Sequence, residues 1–574
     1  MIYNDFDLQL GDDDGTRTWG GQKRPVAKGQ AASGATTTLG STSPVADLQR
    51  DLAALGFSLV AGADAGKFDD RTEWAVRELQ CYGKMDTVAK EDTTAKGAYV
   101  ERLSEAANAT SRYTGPVSGV VNAATRALIE AWSKDKLRCP VVLDAYEVKK
   151  GKATRKMENV WLYDEVTHGG WVVKARDFSG YYQKQAADDP LWDVAKSLKY
   201  KKDYGPAGDL ELAWPSVEVT PELVFNDAFA SLDGARQSTF RVARCVAEIE
   251  CKGFFDIINA YDRAVVSTGL VHWTFLDGSG ELSQMLAKFA ELALADYNKA
   301  FVFFGLDVRA KVGAPAVRLQ AEDGTFKRVV EHPDPKTADE KDLKREEIAR
   351  LDYVRNWHWC YRFVMAARMF SSYRQEMWKM MMERIVRIMD IEWDTLADVT
   401  VGTGPDATTR TATVGDAITS EVGMGILLRW HVLAPAQIQG GKNKAGKALK
   451  TALTEAKKAK PKLKWSDDPK TWGQGEEDAL VQALKDEADN GSDEMKASIP
   501  KVSAFPGKGD KHWKLDRAAI GALSTTRGSF DFTTFAGYGY YFADDPLTND
   551  ETWKAQMVRP GPIRSMLIRP KPAS

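Results

Sequence analysis

From Leu351 to Trp393 apolar residues recur at helical spacing almost without interruption, and the run is loaded with Trp, Tyr and Met. A stripe of that length and period is buried economically only against other helices, so an α-rich body is expected from about residue 226 onward. The aromatic residues in that run read as core scaffold rather than as a cofactor box. Upstream, 151–225 mixes short β-like runs, such as Asn159-Val160-Trp161-Leu162-Tyr163 and Gly170-Trp171-Val172-Val173, with Pro, Gly and Asp. This reads as a small β-rich connector. Residues 1–43, rich in Gly, Asp, Thr and Ser, read as a flexible leader. The expected division is therefore 1–43 leader, 44–150 helical module, 151–225 connector and 226–574 helical body, a mainly α chain. Lys442 to Lys464 is basic and low in complexity, as a solvated helix or loop would be, and the tail beyond 500 carries no functional signal.

Composition removes several classes of function. A net charge of −3 offers no global positive field for nucleic acid or an anionic membrane. No stretch approaches the roughly 20 apolar residues of a membrane span, so the chain is read as soluble with no membrane insertion. The segment Met1 to Asp7 lacks the basic-then-apolar order of a signal peptide, which predicts synthesis and folding in the cytoplasm. The six histidines are dispersed and the five cysteines show no CxxC pair. Neither a metal site nor a cofactor is expected, and buried free thiols are favoured over a Cys81–Cys139 bridge.

The module has an ordered motif. Val45, Leu48, Leu52 and Leu55 lie on one helical face that Gly56 closes. A loop ending Gly66-Lys67-Phe68-Asp69-Asp70 leads into a helix carrying Thr72, Trp74, Ala75-Val76 and Leu79-Gln80. The set Leu48-Gln49, Leu55-Gly56-Phe57, Gly66-x-Phe68, Thr72, Ala75-Val76 and Leu79-Gln80 resembles the small three-helix peptidoglycan-binding domain. The resemblance implies peptidoglycan as partner, with Phe57, Phe68 and Trp74 as the aromatic residues of the wall-binding module. A looser second copy of turn and helix runs from Tyr113 through Gly119, Asn122 and Thr125 to Trp132, with a polar insertion over 86–112.

Chemistry is concentrated between Phe240 and Phe275. Helical periodicity from Arg236 places Glu250 at a helix end beside Ala243, Val246 and Ala247, and Glu248 on the opposite face with Arg241 and Arg244. Desolvation and the negative helix pole are expected to keep Glu250 protonated, while Glu248 stays ionised among cations in water. A carboxylic acid held neutral is what glycosidic cleavage requires of its proton donor. The following residues alternate and turn as a short β-hairpin.

Helix, terminal Glu, hairpin and a Gly-bearing strand end resemble the lysozyme superfamily. Glu250, Gly253, Asp256, Ile258-Asn259, Tyr261-Asp262, Ala264, Ser267 and Gly269 fit the wall-lytic pattern E-x-x-G-x-x-D-x-I-N-x-Y-D-x-A-x-x-S-x-G. The resemblance implies a muramidase in which Glu250 is the general acid. Asp262, with Thr268 or Ser267, would position a water, and Asn259, Tyr261, His272 and Trp273 would line the glycan site. The interval from Glu250 to Asp262 is longer than in phage-type lysozymes. A lytic transglycosylase that leaves 1,6-anhydro ends is the alternative, because Gly269-Leu270-Val271-His272 resembles that family's Gly-Leu-Met-Gln. Cys251 as a papain-like nucleophile is disfavoured for want of a histidine partner. A non-catalytic wall-binding component of a phage tail or injection device is the rival from another class. Without a signal peptide, delivery to the periplasmic wall is expected by injection through a type VI-like system, with an immunity protein or spike protein as partner, or as a phage lysin (endolysin).

Overall fold

The computed structural model describes residues 7–23, 43–57, 63–91, 103–108, 112–139, 145–149, 152–157, 210–212, 217–251, 253–259, 266–275, 281–309, 315–329, most of 351–506, 515–531 and 568–570. They form a mainly helical protein with a few small sheets. Among them no helix is long and apolar enough to cross a membrane.

The N-terminal part contains three helices, α1 (Pro44–Ala54), α2 (Asp70–Gly83) and α3 (Ala123–Asp135). Pro44 starts α1, where its missing N–H costs nothing, and Val45, Leu48 and Leu52 are buried. Two turns are built on one plan. Gln49 accepts from Gly66 N (3.0 Å) and donates to the carbonyls of Asp64 and Lys67 and to Thr72 Oγ1. Gln80 accepts from Ser118 N and Gly119 N (2.9 Å each) and donates to Val120 O and Thr125 Oγ1. Gly66 and Gly119 both hold left-handed backbone, with φ of +77° and +76°. Asp69 then caps α2 through Thr72 N, and Asn122 caps α3 through Thr125 N. The second copy seen in the sequence is thus a repeat of hydrogen bonds as well as of residues. In each copy a glutamine amide fills the polar inside of the turn, satisfying backbone N–H and C=O groups there.

The leader is folded where it is described. Leu8 is buried and pairs with Val121 of the second turn, and Gly11 and Asp12 exchange backbone bonds with Phe68 of the first. The Asp14 carboxylate accepts from Val45 N and Ala46 N, so it caps α1 from 7–23, a segment expected to be a flexible leader. The polar insertion expected over 86–112 holds two strands, β1 (Thr87–Glu91) and β2 (Leu103–Ala107), paired antiparallel, with β3 (Leu137–Arg138) on the other edge of β1. Cys81 and Cys139 are buried thiols, not joined by a disulfide. Most of 151–225, the expected connector, lies outside the described residues.

The helical body is centred on α7 (Glu421–Leu433), buried along Glu421–His431. It packs against α4 (Gly234–Cys251), α6 (Ser371–Met389), α9 (Gln474–Ala488) and α10 (Asp493–Ser503). Helix α5 (Glu281–Leu292) lies on α6, and α8 (Lys447–Ala459) lies on α9. Trp359, Trp378 and Trp393 are wholly buried, as the long helical run predicts for a scaffold. The basic segment is an amphipathic helix, α8, that buries Leu449 and Leu453 beneath its lysines. Module and body share one continuous core. Helix α2 is the seam. Every residue from Trp74 to Gly83 is buried, Cys81 Sγ donates to Phe304 O (3.4 Å), and Glu78 is enclosed with Arg362 and Tyr353.

Candidate functional site

Helix α4 ends at Cys251 and leads into a three-stranded antiparallel sheet of β4 (Ile258–Asn259), β5 (Ser267–Thr268) and β6 (Trp273–Thr274), with β5 in the centre. Ser267 lies opposite Asn259 and Thr274, and Thr268 opposite Ile258 and Trp273. A backbone of this shape puts the end of α4 against the β5–β6 turn, where His272 sits in left-handed backbone at φ +52°.

Glu250 occupies that corner. Its side chain is 6% exposed, one oxygen faces His272 Nδ1 at 3.6 Å, and the other is in contact with Arg429 Nη1. Arg429 comes from the buried helix α7, and its Nη2 also reaches Glu494 of α10 at 3.3 Å. The guanidinium is a counter-charge from a remote helix that the periodicity of α4 does not reveal. The setting of its neighbour also differs from the expected one. Glu248 is enclosed between Arg244, at 3.0 Å, and Arg517 rather than standing in water. Burial pushes its carboxyl up to about 7 against the pull of both arginines. Arg244 also holds Glu218 at 3.1 Å and donates to Val219 O, so this network ties α4 to the strand-like segment before it.

The remaining expected residues divide. Asp262 and Tyr261 lie outside the described residues, in the connection between β4 and β5. Asn259 is placed by its backbone pairing alone. Thr268 is 1% exposed and donates to Ile257 O (2.9 Å), so its hydroxyl pins the sheet rather than a water. Ser267 is buried on the central strand. Trp273 is 1% exposed and belongs to the core rather than to a glycan-lining surface. Asp256 is fully buried and accepts from Val217 N, a structural use of a motif position. Cys251 has its thiol pushed up to about 12 by burial, which removes it as a nucleophile. Among the described residues no group of His, Cys, Asp and Glu is disposed to hold a metal ion.

A concave feature lies on the module. A cavity of about 300 Å³ opens between α2 and the hairpin of β8 (Arg318–Gln320) and β9 (Phe326–Arg328). Strand β8 also pairs with β7 (Leu306–Asp307). Trp74, Glu73 and Arg77 of α2 line one wall, and Gln320, Glu322 and Arg328 line the other. Arg77 spans them, with Nε on Glu73 Oε1 (2.8 Å) and Nη1 on Val117 O (2.7 Å) and Gln320 O (3.0 Å). Of the three aromatic residues expected to serve the wall, only Trp74 reaches this cavity. Phe57 and Phe68 are core residues, Phe57 packing on Tyr82 and Trp132.

Sequence reasoning missed Arg429, although a signal was present. A lone arginine inside Met424-Gly425-Ile426-Leu427-Leu428-Arg429-Trp430 must be buried with a partner if the helix is central. The hairpin wall of the cavity had no such signal, since Gln320 and Arg328 read as ordinary surface residues.

No curated protein and no solved structure matches the chain. Residues 41–84, which hold α1, its loop and α2 with Trp74 and Arg77, match the family model described as a putative peptidoglycan binding domain.

Proposed function

We propose that this protein binds peptidoglycan through its N-terminal module and cleaves the glycan strand at Glu250. The match of residues 41–84 carries the wall-binding half of the reading. For the cleaving half, the support is a buried carboxylate at the end of α4, set against a small sheet and flanked by His272 and Arg429. Proton donation to a glycosidic oxygen requires Glu250 to carry a proton taken up from solvent, with the guanidinium drawn toward Glu494, already its second partner, as a sugar enters beside His272. Asp262 then supplies the second carboxylate of a hydrolase. If it does not, the muramoyl 6-hydroxyl attacks and the product ends are 1,6-anhydro. An injected effector or a phage lysin is the delivery that fits a wall substrate for this chain.

The Glu250–Arg429 pair itself favours a second reading, a wall-binding component without catalysis, in which Glu250 is a structural anion for a buried arginine. Purified sacculi separate the two. The enzyme reading expects wild type to clear turbidity and release muropeptides visible by mass spectrometry, and Glu250→Gln to lose clearing while still sedimenting with sacculi. Equal release by both proteins, or none by either, rejects catalysis at Glu250.

A further inference from the structure

We infer that the cavity between α2 and the β8–β9 hairpin is the wall-ligand pocket, and that it takes the charged peptide stem of peptidoglycan rather than the glycan; this rests on the wall-binding reading above. Four of its lining residues, Asp70, Glu73, Trp74 and Arg77, lie in the segment that matches the peptidoglycan-binding family, whereas the opposite wall comes from 319–329, outside that match. The pocket is therefore made by the docked assembly of module and body and is absent from the two-helix match taken alone.

Its floor is rigid. Trp74 is backed by Tyr353 with ring centroids 6.3 Å apart, and Arg77 is fixed by Glu73 and two carbonyls. A fixed floor holds a ligand without an ordering cost at the moment of binding. The rim carries both signs of charge, with Glu322 and Asp70 against Arg328 and Lys327, and Leu10, 49% exposed, adds an apolar edge. A strand of N-acetylated sugars has hydroxyls and acetamides but no cationic group for an acidic rim to select. A peptide stem with a diamino acid has carboxylates and an ammonium side by side, along with alanine methyls that suit Leu10 and Trp74. Mixed charge around an aromatic floor discriminates in favour of the peptide.

The test uses the full chain, with calorimetric titration of two probes, a soluble alanyl-glutamyl-diamino-acid stem peptide and an N-acetylated disaccharide free of peptide. Sedimentation with purified sacculi and a thermal melt accompany it. Glu322→Arg and Arg328→Glu change exposed side chains, so both variants are expected to melt as wild type does. The proposal expects the peptide to bind, the disaccharide not to bind, and each charge reversal to weaken peptide binding tenfold or more and to reduce sedimentation. Wild type that sediments with sacculi, with both variants sedimenting equally and binding peptide within twofold, overturns the pocket but leaves wall binding intact. Preference for the disaccharide overturns the choice of ligand. Wild type that fails to sediment overturns the wall-binding reading and the pocket with it.

Discussion

Glu78 is the residue whose replacement says most about how the molecule is assembled. Its carboxylate is fully buried on α2, takes Arg362 Nη2 at 2.7 Å and Nη1 at 3.2 Å, and accepts the Tyr353 hydroxyl at 2.6 Å. Arg362 is itself 1% exposed and lies over the rings of Phe304, Trp359 and Tyr82. Glu78→Gln leaves that guanidinium buried without its counter-charge. Removing one partner of such a pair costs about 3–5 kcal/mol, far above the ~1 kcal/mol of a surface bridge. Arg362→Met strands the carboxylate instead and is expected to cost about the same. Restoring neutrality with Glu78→Leu and Arg362→Met together is expected to recover most of the loss, because apolar replacement of a whole buried pair is often close to neutral. Tyr353→Phe removes one hydrogen bond, about 1 kcal/mol.

The assay is urea unfolding followed by tryptophan fluorescence, with proteolysis at sub-denaturing urea to report the module separately. Since α2 belongs at once to the module and to the shared core, Glu78→Gln is expected to lower the transition of the entire chain. A destabilisation below about 1 kcal/mol would refute the buried-pair reasoning. An early transition confined to the module, with the body unaffected, would refute the account of α2 as a seam.

Other perturbations follow from single features. Burial lowers His431 from 6.5 to about 4, with Arg384 adding to the effect. The unfolded chain therefore binds the proton first, and about 3 kcal/mol of stability present above pH 6.5 is lost as pH falls toward 4, a loss that His431→Asn removes in acid melts. Gly119→Ala strains a left-handed residue and drives a Cβ to 2.5 Å from Glu73 Cγ. A loss of about 1–3 kcal/mol is expected in urea melts, together with weaker sacculus binding because Glu73 lines the pocket. Cys81, Cys139, Cys245 and Cys251 are buried thiols outside any disulfide, so a thiol reagent is expected to leave these four unlabelled in the native protein and to label them in denaturant, read by peptide mapping.

What the sequence disclosed and what it hid follow from the range of the interactions. The repeat of Leu48-Gln49 and Leu79-Gln80, each ahead of a Gly, an apolar residue, a cap and a threonine, is legible because each copy is written in short local patterns of residues, although the partners of Gln80 lie 38 to 45 positions on. The helical body is legible for the same reason, since a stripe of period 3.6 is a local pattern. The leader was misread because its few apolar residues and many aspartates resemble disorder by composition. Leu8 and Asp14 are nonetheless used singly, one in the core and one as a cap for a helix thirty positions on. The electrostatics of α4 failed for a stronger reason. Helical periodicity gives the face a glutamate occupies but not what packs against that face. Glu248 and Glu250 were distinguished by neighbours on their own helix, whereas their environment is set by Arg517 and by Arg429 of α7. An acid at a helix end acquires its protonation state from elements remote in sequence. Helix pattern can therefore nominate Glu250 as a site, but only the three-dimensional structure places Arg429 against its carboxylate.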